Sequence, residues 1–336
     1  MENYEPNLEG LDLSYIRLKH EERAVKKSAN FVGITFILLM VLPLILSSMI
    51  TNLLRVFGLS ATDAAQLLTE PMFLMLTQLF MSVLMFILPL GVILFGEHQN
   101  LSEIVSFKKP EKEFFAPIVL ICIGATAFAN IVTNILTSYF NAFGIPVSAP
   151  EFDTPKGILG FIVTFLAIAV TPALVEEFAL RGVVMGSLKR YGKAFAIGVS
   201  AILFGMMHGN LSQLPFAFIL GITIGFAVLK TNSIWTGVLI HFINNSVSVI
   251  LDKIMETADN RQIEAFATSL YFALCILAFF VGLYLLKGKT KELTELNEER
   301  FESNMTQRLK WFFSAPAVII SIGVTALECI LALFIY

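Results

Sequence analysis

Residues 171–182 read T-P-A-L-V-E-E-F-A-L-R-G, and they sit inside the apolar run 157–188, GILGFIVTFLAIAVTPALVEEFALRGVVMGSL. About 20 apolar residues suffice to cross the hydrocarbon of a bilayer. In lipid a backbone must satisfy its own N–H and C=O groups, so such a run is a helix. Residues 157–188 therefore predict a membrane-spanning helix that carries two carboxylates and a guanidinium within it.

The flanking sequence repeats the pattern. Apolar runs cover 29–54, 71–96, 114–142, 194–209, 212–229, 233–252, 263–286 and 312–336. The whole chain is 56% hydrophobic and 15% charged, with mean hydropathy +0.78. Soluble domains carry about a quarter charged residues, so the expected fold is all-α, a polytopic transmembrane helical bundle of eight to nine spans. The expected organisation is a cytoplasmic N-terminal segment 1–28, a membrane bundle 29–286 with a motif-bearing core 157–252, a polar cytoplasmic linker 287–311, and a C-terminal transmembrane helix 312–336.

If every run crosses, 18 Lys and Arg fall on the side of the N-terminus and 4 on the other, with Arg181 inside a span. That bias predicts a cytoplasmic N-terminus. The first 28 residues hold charges throughout and no short apolar run, so the first span is expected to act as its own insertion signal. Short loops without targeting extensions suit the bacterial inner (plasma) membrane. Membrane lipid is the implied surrounding, and no basic tract points to nucleic acid. Cys122, Cys275 and Cys329 stand singly in apolar runs, without the spacing of a zinc site or a disulfide framework. The run 194–209 is short, about 24 Å of helix, so the turn after it is expected to lie below the outer surface, with His208 at membrane depth.

Ionisable residues inside spans are costly and are by default functional candidates. Glu177 and Arg181 are four apart on one helix face, acid first, the favourable order for a pair. That leaves Glu176 without a local counter-ion, the position of a general base. Pro172 removes a helix hydrogen bond just before the carboxylates and is expected to kink the helix. Phe204 shares a face with His208, and His241 shares one with Asn245, with Asn244 nearby. A carboxylate, two imidazoles and an amide are the groups needed to activate a water and stabilise an oxyanion. The plainer readings are a helix-locking ion pair for Glu177 and Arg181 and interhelical hydrogen bonding for each imidazole. Asn130 and Asn134 are read as interhelical hydrogen-bonding groups, and Glu328 as interfacial.

E-E-x-x-x-R (Glu176, Glu177, Arg181), F-x-x-x-H (Phe204, His208) and H-x-x-x-N (His241, Asn245) follow one another on successive polar-bearing spans. This order resembles the CPBP family, the type II CAAX prenyl proteases together with bacteriocin-processing and Abi proteins, over residues 157–252. The resemblance implies an intramembrane endopeptidase acting on a membrane-associated peptide or protein. By similarity Glu176 and His208 would activate the water, His241 and Asn245 would hold the oxyanion, and Glu177 and Arg181 would support the site. No H-E-x-x-H places two zinc ligands on one face, which favours a mechanism without a cofactor; zinc held by Glu176, His208 and His241 is the alternative. Two other classes compete: a non-catalytic immunity or scaffold protein of the same fold, and a membrane transporter, whose broken helices and midplane polar groups look similar. Because Glu176 lies past the midpoint of a span running inward, access from the cytoplasmic side is expected.

Overall fold

Every apolar run closes its backbone hydrogen bonds as a helix. The computed structural model describes residues 13–148, 153–257, 260–289 and 301–335, and no strand occurs among them. In chain order the helices are α1 (Leu13–Val56), α2 (Ala61–Thr69), α3 (Pro71–Gly96), the single turn α4 (Leu101–Ile104) and α5 (Lys112–Ala142). Then come α6 (Gly157–Tyr191), α7 (Lys193–Met206), α8 (Leu214–Thr231), α9 (Ile234–Thr257), α10 (Arg261–Leu285), α11 (Met305–Phe313) and α12 (Pro316–Ile335). Eight of them are long and apolar enough to cross a membrane; α7, with 14 residues, is shorter. The chain is an all-α integral membrane protein, and the short fifth run is short in the structure too.

Two local features depart from the expectations. The first helix begins sixteen residues before the predicted span, at Leu13, and its charged first half packs into the fold: Val25, Ser28 and Ala29 are buried. The stretch 55–70, left between the first two apolar runs, contains α2, started by Ser60, whose side chain accepts from the Asp63 amide. Residues 290–300 of the polar linker lie outside the described residues. The linker's last residues already belong to α11, which the capping box of Asn304 and Gln307 starts.

Helix α6 sits among α3, α7 and α9, and it is what positions the site. Its first three residues are exposed, whereas residues 179–188 are all buried. The buried half is rich in small residues, Ala179, Gly182, Gly186 and Ser187, which allow neighbouring backbones to approach. At its C-terminal end Arg190 pairs with Glu97, the residue that follows α3, and donates to Ser28 of α1 at 2.9 Å. Tyr191 donates to the Ala24 carbonyl at 3.0 Å, and Arg308 of α11 donates to the Tyr191 carbonyl. These polar contacts tie α1, α3, α6 and α11 together at one end of the bundle. Between α5 and α10, Asn130 donates to the Tyr271 hydroxyl at 3.3 Å, the interhelical role expected for it. All three cysteines are buried and free.

Candidate active site

Helix α6 is not a regular α-helix. Residues Leu166–Val170 and Phe178–Val184 are wound as π-turns, and the seven residues Thr171–Glu177 between them are α-helical. Such π-turns concentrate at functional sites because the wider turn re-aims side chains. Pro172 supplies a local cause. It has no N–H to give to the carbonyl four residues back, and its ring crowds that carbonyl. That carbonyl belongs to Ile168, and the Asn245 side chain of α9 donates to it at 3.0 Å. The neighbouring helix thus satisfies the backbone group that Pro172 leaves open, which lipid would not do.

The second π-turn begins directly after Glu177. Glu177 is fully buried, and its Oε1 accepts from Arg181 Nη1 at 2.9 Å and from His241 Nδ1 at 2.9 Å. The Arg181 guanidinium lies 4.3 Å from the centre of the Phe204 ring and donates to the Gly221 carbonyl at 3.4 Å. The i,i+4 pair expected from spacing is therefore present, and it reaches three further helices, α7, α8 and α9. Glu177 Oε2 and Arg181 Nε have no hydrogen-bond partner among the described residues. Helix α9 comes this close because position 237 is glycine. A Cβ there would lie 3.0 Å from Glu177 Oε2 and 2.7 Å from Val228 Cγ2.

A carboxylate cannot donate, so Nδ1 of His241 carries the hydrogen and Nε2 points elsewhere. Nε2 lies 3.9 Å from Oε2 of Glu176, whose side chain is 14% exposed. That separation exceeds a hydrogen bond and falls within the reach of a single bridging water. The Phe204 ring lies edge-on to both imidazoles, 5.3 Å from His208 and 5.6 Å from His241. His208 Nδ1 is 2.9 Å from the Phe204 carbonyl and must donate to it, which leaves Nε2 of that ring free. The turn that follows is held by Asn210, whose side chain donates to the His208 carbonyl and accepts from Ser212 and the Gln213 amide. Gly209 has φ +62 and abuts Glu328 of α12, so this acid packs on the turn after His208.

The structure therefore brings Glu176, Glu177, Arg181, His241 and Phe204 together, with His208 across the Phe204 ring. Asn245 lies one turn along α9 from His241, its amide engaged by Ile168 and its oxygen accepting from Asn244 at 3.0 Å. Sequence reasoning had no signal for Ile168 or Gly237, since one acts through its backbone and the other by having no side chain. As to a metal, Glu177 Oε1 is already taken by two donors. Among the described residues no three His, Cys, Asp or Glu side chains converge as a ligand set. Glu176, His208 and His241 are not gathered as such a set in this arrangement, and no step below runs through zinc.

A polar cluster lies where three apolar helices of this integral membrane protein meet. Residues 158–247 match the sequence model of the family described as "Type II CAAX prenyl endopeptidase Rce1-like". The chain is also similar to a Bacillus subtilis (strain 168) protein named "Putative membrane peptidase YdiL", with 26% identity over 117 residues, 33% of this chain and 47% of that protein. It thus spans about half the length of this curated relative. No solved structure matches. Both matches are to proteins named as membrane peptidases, and the family model falls on the motif-bearing segment, in line with the resemblance its motifs carry.

Proposed function

We propose that the chain is an intramembrane endopeptidase that hydrolyses a peptide bond in a membrane-associated peptide or protein, using Glu176 as general base. The observation that carries this reading is the division of labour between two adjacent carboxylates. Glu177 is committed to Arg181 and His241, whereas Glu176 has no hydrogen-bonded partner among the described residues and faces His241 Nε2 at 3.9 Å. A water between Glu176 and the two Nε2 atoms loses its proton to the Glu176 carboxylate as its oxygen attacks the carbonyl carbon. The same carboxyl then returns the proton to the leaving amine.

An Nε2–H donor at His241 exists only in the doubly protonated ring, because Nδ1 already donates to Glu177. In that state His241 steadies the oxyanion. Asn245 takes part in the same task through its second amide hydrogen, while the first holds Ile168. Arg181 and Phe204 keep Glu177 and the two rings in place, and Asn244 holds the Asn245 amide in its orientation. We favour water activation without a cofactor; a metal assay on the active protein, with and without chelator, tests this.

The test uses purified protein in liposomes and a library of palmitoylated decapeptides, with products read by mass spectrometry. Cleavage at an internal bond is the expected result. An absence of cleavage, with intact folding, would favour a non-catalytic protein of this fold. The setting we propose is a bacterial plasma membrane with the N-terminus in the cytoplasm.

A further inference from the structure

A cavity of about 750 Å³ opens at the end of the bundle where α3 and α6 begin and α9 ends. Its mouth holds four carboxylates, Glu70, Asp153, Asp252 and Glu256, against two ammonium groups, Lys156 and Lys253. Lys253 pairs with Glu256 at 2.8 Å, which leaves three carboxylates against Lys156. The charge bias of the loops assigns this end to the outside, opposite to the cytoplasmic access expected from the position of Glu176.

The cavity continues the line of the site. On α9 the residues Asn245, Val249, Asp252 and Glu256 recur every three or four positions and so share one face; the last three line the cavity. On α6, Phe161, Thr164 and Ile168 line the opposite wall. Ile168 is the residue whose carbonyl holds Asn245. From Ile168 to Glu176 is about 12 Å of helix, a distance that about four extended residues cover.

A second observation points to a ligand. Thr164 is 5% exposed, and its hydroxyl has no partner among the described residues. Helix threonines normally return that hydrogen to a carbonyl of the preceding turn, as Thr223 and Thr231 do at 2.9 and 2.8 Å. Thr164, on the cavity wall, keeps a buried hydroxyl open. A buried hydroxyl without a partner is destabilising unless something completes it.

We infer that this cavity binds the substrate segment beside the scissile bond, as an extended peptide with positively charged side chains that meets Thr164 through its backbone. The inference rests on the peptidase reading for the word substrate, and its test does not depend on turnover. Two fluorescein-labelled decapeptides, identical except for three arginines in one and three glutamates in the other, are titrated against Glu176→Gln protein in phosphatidylcholine nanodiscs. The arginine peptide is expected to bind about tenfold tighter or more. Asp252→Asn with Glu256→Gln should remove most of that preference, and Lys156→Glu should strengthen it, a gain that misfolding cannot mimic. Thr164→Val should weaken both peptides alike. Equal binding of the two peptides, or a preference untouched by the Asp252 and Glu256 changes, overturns the inference. Should Glu176→Gln cleave peptides as well as wild type does, the hydrolysis reading falls while this binding result stands on its own.

Discussion

His241 donates through Nδ1 to the Glu177 carboxylate at 2.9 Å, across 64 positions of sequence. That bond fixes the tautomer of the ring and turns Nε2 toward Glu176. Both are consequences of Glu177 being anchored first by Arg181 on its own helix. A buried ion pair, costly by itself, here serves to orient a third group.

Removing one partner of that pair leaves the other charged and buried, which costs about 3–5 kcal/mol. Arg181→Ala is therefore expected to lower the yield and the thermal unfolding temperature in detergent. Unchanged unfolding would mean that the pair carries no structural weight.

Replacing both partners with apolar residues is often neutral or stabilising. Glu177→Leu combined with Arg181→Met should recover the yield that Arg181→Ala loses. Cleavage should stay low, because His241 has lost its anchor. If the double variant cleaves like wild type, Glu177 has no part in holding the ring.

Gly237→Ala would push a methyl group to 2.7 Å from Val228 Cγ2 and 3.0 Å from Glu177 Oε2. Overpacking of this kind costs about 1–3 kcal/mol. The expected result is a lower unfolding temperature together with weaker cleavage, as α9 moves away from α6. A variant as stable and active as wild type would contradict the close approach.

Asn245→Ala strips the Ile168 carbonyl of its donor, at a cost of about 1–3 kcal/mol. Pro172→Ala restores an N–H to α6. The second change should therefore be less damaging, or even favourable, in the Asn245→Ala background. Unfolding measured over the full double-mutant cycle gives the coupling; additivity would show that Asn245 does not compensate for Pro172.

Hydropathy alone made the helical bundle legible, because lipid leaves a spanning backbone no other way to close its hydrogen bonds. The Glu177–Arg181 pair was legible from spacing within one helix. What spacing does not encode is the packing of one helix on another: the reach of Glu177 to His241, the Phe204 ring between two imidazoles, and Glu328 against Gly209. The π-turns of α6 have no periodic signature, although Pro172 marked the place where regular winding would fail. The helix over Ala61–Thr69 did have a readable start, Ser60 followed three residues later by Asp63. The charged stretch 13–28 read only as a segment outside the bundle because its charges hide the apolar face of Val25 and Ala29.

The role of Glu176 is tested most directly by the single-turnover rate of peptide cleavage for wild type and Glu176→Gln, side by side in liposomes. The substitution keeps size and hydrogen bonding and removes the proton acceptor. General-base catalysis contributes about 10²–10⁴-fold, so a rate loss of that order with an unchanged unfolding temperature is predicted. Cleavage by Glu176→Gln at the wild-type rate would contradict the account.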